Sequence, residues 1–187
     1  METSNQNSAL LVMDMQAVIL GTYKETITPL LATLAKTIAA ARKKNIPIIY
    51  CVVGFRKGYP ELSPANKTFS MLAGSGRNFD SPETLQIIDT VAPMPGEVIV
   101  NKKRFSAFTG SDLEVVLRSK NIQHMVLTGV STSGVVLSTL REAADKDYKL
   151  TVLSDCCADM DEEVHRVLTT KIFPRQAEVL TSEEWMK

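Results

Sequence analysis

"LTGVSTSGVVLSTLREAA", residues 127 to 144, changes its period part-way along. Met125 to Val130 is a short, mostly apolar run of the kind that forms a strand buried on both faces. A Gly-Val-Ser-Thr turn follows, and from there apolar residues recur at helical spacing to Ala144. A strand that turns sharply into a helix presents free backbone N–H groups, and such turns commonly mount a reactive side chain. Where that side chain would stand, this chain has Gly134, Val135 and Val136.

The alternation of strand and helix continues on both sides. "SALLVMD" (8–14) reads as a buried strand, and 26–45 as an amphipathic helix closing on Arg42, Lys43 and Lys44, cations that suit its negative end. "IPIIYCVV" (46–53) is a second strand, rich in β-branched residues. From Gly54 to about Asp80 the chain is rich in Gly, Pro, Ser and Asn and has little periodicity, as in a lid or binding wall. Strands at 97–102, 124–130 and 149–155 alternate with helices at 111–120, after Ser133 and from about Asp161 to Phe173. A last strand at 177–181 precedes Glu183-Glu184-Trp185. This pattern implies an α/β fold with a parallel sheet covered on both faces. Ligands of such sheets bind beyond the carboxyl ends of the strands. Asp14, Gly54-Phe55-Arg56, Lys102, Val130 to Val135 and Asp155 would gather there.

The 187 residues fit one domain, 1–187, with room for a large core. Lys plus Arg and Asp plus Glu both number 21, a balance that argues against a nucleic-acid or anionic-membrane partner. "METSNQNS" lacks the charge and apolar run of a targeting sequence, and no run approaches the ~18 apolar residues of a membrane span. The expectation is a soluble, cytoplasmic protein. Three cysteines, two of them adjacent, make no disulfide framework, and two isolated histidines make no metal site; no cofactor is expected.

Asp14 ends a buried strand, where partial desolvation raises a carboxyl pKa and suits it to acid–base work; capping a turn is the alternative. Lys102 could pair with it and polarise a substrate oxygen, or belong to a solvated basic cluster with Lys103 and Arg104. Those cations, with Arg56 and Lys57, could attract an anion. Ser131-Thr132-Ser133 lacks a nearby base in sequence, since His124 starts a strand and His165 sits in a late helix, so helix capping by Thr132 or Ser133 is preferred to nucleophilic catalysis. Cys156 and Cys157 lie at the same edge and read as buried small hydrophobes in preference to thiol nucleophiles, since nothing local in sequence would depress their pKa, and Cys51 reads as core.

Taken in order, "LLVMDMQ", "FRKGYPELS", "KKRFSAFTGSDLEVVLRSKNI", "MVLTGVSTSGVVLSTLREAADKDY" and "LSDCCAD" resemble the isochorismatase-like hydrolases across nearly the whole chain. The resemblance implies a three-layer α/β/α fold around a six-stranded parallel sheet. It implies an Asp-Lys-Cys triad in the amidase members, whose Asp matches Asp14, whose Lys matches Lys102 rather than Lys103, and whose Cys position holds Val135. A cis peptide in the turn and an oxyanion hole are further implied, at Val130 and Ser131 with N–H groups near Gly134 and Val135. Gln16, Arg56, Phe108, Val130, Ser131 and Gly134 are the implied substrate contacts. The histidines of the nicotinamidase metal site have no counterpart. The resemblance thus implies a hydrolase of a small molecule acting through Asp14 and Lys102 without a covalent cysteine. The alternative is an inactive member that binds small molecules or serves as a structural subunit. A homodimer or larger homo-oligomer is implied in either case.

Overall fold

The computed structural model describes residues 7–23 and 27–187. The polar segment before Asn7 and the Thr26 start of the second predicted element therefore lie outside the described residues. Six strands, β1 (Ser8–Met13), β2 (Ile48–Val53), β3 (Val98–Lys102), β4 (His124–Val130), β5 (Lys149–Ala158) and β6 (Glu178–Leu180), pair in parallel in the order β3-β2-β1-β4-β5-β6. This is the order of a doubly wound sheet, with its switch point between β1 and β4.

Strand alternation sorts the core into two layers. Leu10 and Val12 face α2 (Ile27–Lys43), whose Leu30, Leu34, Ile38 and Ala41 form the buried stripe. Ala9, Leu11 and Met13 face α4 (Leu113–Ser119) and α5 (Leu137–Asp145) through Leu113, Leu117, Leu140 and Ala143. The expected three-layer α/β/α architecture is therefore present. A short α1 (Ala17–Leu20), α3 (Lys67–Ala73), α6 (Glu162–Val167) and α7 (Ser182–Met186) complete the helices described.

Three local expectations change. Residues 54–80 are not without structure: α3 forms inside them, capped by the Asn66 side chain, which accepts from the Phe69 N–H. Phe69 then packs with Phe55 and Phe79 into a small cluster beside Val53. The fifth strand runs past Asp155 to Ala158, because its register against β4 shifts between Leu127 and Gly129 and it pairs again at Cys157. The helix expected from Asp161 to Phe173 is α only to Val167; it widens to a π turn over Leu168–Ile172 and tightens to 3₁₀ at Phe173–Arg175, where Pro174 lacks an N–H.

Candidate active site

Parallel strands deliver the ends of β1, β3 and β4 to one edge, where they surround a cavity of about 350 Å³. Asp14 takes a left-handed backbone (φ 59°), which Asp tolerates better than most residues, and its N–H donates to the Cys51 carbonyl at 2.8 Å. Its side chain lies 3.0 Å from the Lys102 ammonium, and both residues are buried. Lys102 Nζ also donates to the Arg104 carbonyl at 3.0 Å. Asp14 Oδ1 is buried without a hydrogen-bond partner. Burial pushes the Asp14 carboxyl above the usual carboxylate range, and the adjacent Lys102 charge only partly opposes this.

A buried ion pair is weak evidence for stability, since desolvation offsets its attraction, whereas breaking one costs about 3–5 kcal/mol. The cavity gives this pair a different meaning, because both residues line it.

The turn after β4 forms the opposite wall. The Val130–Ser131 peptide is cis, and a π turn over Thr132–Val136 precedes α5. Val130, Ser131 and Val135 line the cavity. Gly134 lies between lining residues where a Cβ would stand 2.5 Å from Ser131 Oγ. Its N–H donates back to the Ser131 carbonyl at 3.2 Å, so this amide is already engaged.

Capping by Thr132 or Ser133 is not what the fold uses. The Asp159 carboxylate accepts from the Ser133 N–H at 2.7 Å, while Thr132 Oγ1 lies 2.8 Å from His165 Nδ1. A histidine thus does reach the hydroxyl run, but at Thr132, which is fully buried and not part of the cavity wall. His124 sits at the other edge, between Ser8 Oγ (3.1 Å) and Thr151 Oγ1 (2.9 Å), where burial pulls its pKa down to about 4.

Three implied substrate contacts stand apart from the cavity. Gln16 is fully buried, and its amide is spent on backbone: Nε2 donates to the Val53 carbonyl (2.9 Å) and the Thr84 carbonyl, and Oε1 accepts from the Val53 N–H (2.8 Å). Phe108 packs in the core against Tyr148. The Arg56 side chain is 77% exposed and pairs with Glu61. Asp155 likewise leaves the site, accepting from the N–H and hydroxyl of Ser182 at the start of α7. Within the basic cluster, Lys103 donates to the Gly54 carbonyl at 2.6 Å and Arg104 to the Glu61 carbonyl at 2.8 Å.

Sequence reasoning did not single out Tyr23, Phe69, Arg77, Phe79, Phe105 or Asp159, all of which line the cavity. Phe69, Arg77 and Phe79 lie in the aperiodic 54–80 segment, whose length was the available signal. Tyr23 hydrogen-bonds Ser131, and burial followed by the Asp159 charge pushes its phenol up to about 12. Beside the cavity, an outer depression of about 540 Å³ shares Thr22, Tyr23, Asp159 and Met160 with it and adds Cys157 and His165.

A profile of the isochorismatase domain matches residues 8–184. The chain belongs to the isochorismatase family. Among the relatives of this family member, the ureidoacrylate amidohydrolase RutB of Pseudomonas syringae pv. syringae is 33% identical over 175 residues, covering 79% of this chain and 69% of that protein. A cysteine hydrolase from Pseudomonas syringae pv. phaseolicola superposes with a TM-score of 0.89 over 100% of this chain and 93% of its own, at 24% identity. An isochorismatase family protein from Burkholderia thailandensis gives a TM-score of 0.79 at 29% identity, over 97% and 95%. Among the described residues no group of three or more His, Cys, Asp and Glu is arranged to hold a metal ion, and no helix is long and apolar enough to cross a membrane.

The cavity wall contains no cysteine. Burial pushes all three thiols up, Cys156 to about 12, with Cys156 and Cys157 on opposite sides of the sheet. Iodoacetamide at neutral pH is therefore expected to leave the native protein unmodified and its ligand binding intact, as read by intact mass. Rapid modification of Cys157 that a bound ligand prevents would identify a reactive thiol instead.

Proposed function

We propose that this family member hydrolyses a small molecule through Asp14 and Lys102, without a covalent cysteine intermediate. The observation that carries the reading is the buried Asp14–Lys102 pair at 3.0 Å, with one Asp14 oxygen left without a partner and both residues on the cavity wall. A buried polar atom without a partner is costly, and one on a cavity wall is satisfied when a ligand supplies the missing bond.

Val135 occupies the position that the resemblance gives to the nucleophile, and it lines the cavity with no side-chain atom able to attack a carbonyl. The chemistry open to the remaining pair is proton transfer. Asp14, its protonated form favoured by burial, protonates the vinyl carbon of an enol ether to give an oxocarbenium ion. Water adds to that ion and returns a proton to Asp14, and the hemiketal collapses to a carbonyl compound and an alcohol. Lys102, 3.0 Å away, stabilises the carboxylate that Asp14 becomes between the two proton transfers. Amide hydrolysis, the reaction in the name of the amidohydrolase relative, lacks its attacking atom here.

The apolar Val135 wall also favours a second reading, a member that binds its ligand and does not turn it over. Wild type, Asp14→Asn and Val135→Cys assayed on small amides, activated esters and enol ethers separate the two. The expected result is turnover of an enol ether or ester by wild type, with amide hydrolysis appearing only in Val135→Cys. Ligand binding with background rates in wild type and Asp14→Asn alike would establish the second reading.

A further inference from the structure

We propose that the ligand of this site is an amine, with an apolar ring in the cavity and a cationic arm in the adjoining outer depression, where Glu162 and Asp159 receive the ammonium. The inference rests on the cavity being the ligand site, and it holds whether or not the bound molecule is turned over.

The two hollows share the rim residues Thr22, Tyr23, Asp159 and Met160 but differ in charge. Lys102 and Arg77 border the cavity alone. Glu162 borders the depression alone, and among the described residues no lysine or arginine borders it. His165 on its wall adds no charge at neutral pH, since burial holds the imidazole below its ordinary pKa and the nearby Asp159 charge only partly opposes this. A ligand that spans both hollows therefore carries its cation outward, away from Lys102 and Arg77 and toward the carboxylates. Those carboxylates have room to accept. Among the described residues Glu162 makes no side-chain hydrogen bond or ion pair, whereas its neighbour Glu163 is paired with Arg166 at 2.6 Å. Asp159 accepts from the Ser133 N–H at 2.7 Å with one oxygen and from the Met160 N–H at 2.9 Å with the other, and each oxygen keeps a further lone pair. The N–H groups that open α6 are taken up by Asp161, which accepts from Glu163 and Val164.

The inner half of the ligand follows from the cavity wall. Asp14 Oδ1, buried there without a partner, calls for a ligand that reaches this depth. Phe69, Phe79, Phe105 and Leu72 on the same wall favour an apolar, ring-shaped body. About 350 Å³ is at the small end of ligand sites and suits a body of about one ring, so any longer molecule must continue past the rim. Met160 stands on that rim and is 72% exposed. Its unbranched thioether can adapt to a chain laid across it and gains an apolar cover when one is.

The test is calorimetric titration of phenylbutylamine, and of phenylbutanol with a neutral hydroxyl in place of the ammonium, into wild type, Glu162→Gln, Glu163→Gln and Phe105→Ala at neutral pH. Glu162 and Glu163 are both exposed, so their variants are expected to keep the wild-type melting temperature. Wild type is expected to bind the amine at least about fivefold more tightly than the alcohol, in line with a charged hydrogen bond at a site open to solvent. Glu162→Gln removes most of that preference. Glu163→Gln, the same change of charge one residue outside the depression, keeps it. Phe105→Ala removes an apolar wall of the cavity and is expected to weaken both probes alike, by about five- to tenfold. Equal binding of the two probes by wild type overturns the proposal, as does a preference that survives Glu162→Gln. A preference lost equally in Glu163→Gln reports the general field of this edge and overturns it too. So do amine binding untouched by Phe105→Ala, which would place the molecule outside the cavity, and no binding of the amine at tens of millimolar. None of these readouts needs turnover, so an inactive wild type refutes the hydrolase reading without touching this one.

Discussion

Asp14→Asn is expected to lower turnover of an enol ether or activated ester by ~10²–10⁴, the usual size of a proton-transfer contribution. The substitution keeps the shape of the side chain and an oxygen for Lys102, and removes the ability to exchange a proton together with the negative charge paired with Lys102. A smaller loss would mean that water or another group supplies the proton. The pH profile gives an independent check. Because burial raises the Asp14 pKa, the acid form survives above the ordinary carboxylate range and is lost as pH rises through the raised value. Wild-type turnover should fall along that limb, and the Asn variant should show no such limb. Stability follows the same sign: the folded state holds a proton that the unfolded chain has released. The stabilisation from that proton is complete below the unfolded pKa of 3.8 and disappears as pH rises through the folded one. Melting temperatures of the wild type measured upward from pH 4 should decline relative to those of Asp14→Asn. Parallel curves would show that Asp14 titrates normally.

Gly129→Ala is expected to destabilise the fold by about 2–6 kcal/mol, combining backbone strain with overpacking, each on the order of 1–3 kcal/mol. Gly129 has φ +143°, and a Cβ there would stand 2.5 Å from the Met13 carbonyl oxygen and 2.8 Å from Met13 Cβ. Both are parts of the neighbouring strand, paired in register with Gly129, and neither can move without parting β1 from β4. Gly58 provides the control. Its φ of +79° is also left-handed, but a Cβ there meets nothing within 4 Å, so Gly58→Ala should show strain alone. Urea unfolding of the two variants measures the difference. Equal losses would mean that the close approach of β1 and β4 contributes nothing. Since a domain of this kind has about 5–15 kcal/mol in hand, the upper end of the range would leave Gly129→Ala largely unfolded.

The position of Gly129 also shows why part of this molecule can be read from its sequence. Whether a residue is buried on a strand or a helix depends on its near neighbours, and that dependence appears as a period. The runs at 8–14, 46–53, 97–102 and 124–130 therefore locate their strands to within two residues. Parallel strands separated by helices place every carboxyl end at one edge, so Asp14, Lys102 and the 130–135 turn were expected together and do share a cavity.

What the sequence determined by itself was thus the α/β alternation, the parallel sheet covered on both faces and the edge where the site forms. Only the tertiary structure decided which polar groups are spent on holding that edge. Gln16 is committed to Val53 across 37 residues, Asp159 to Ser133 across 26, and Asp155 to Ser182 across 27. Nothing in the spacing of Ser131-Thr132-Ser133 shows that Asp159 caps the turn or that His165 meets Thr132. Arg56 and Arg77 look alike in the sequence, yet one is paired and the other borders the cavity. Hydrogen bonds and ion pairs of this kind depend on groups brought within about 3 Å by folding, and no local period records which groups those will be.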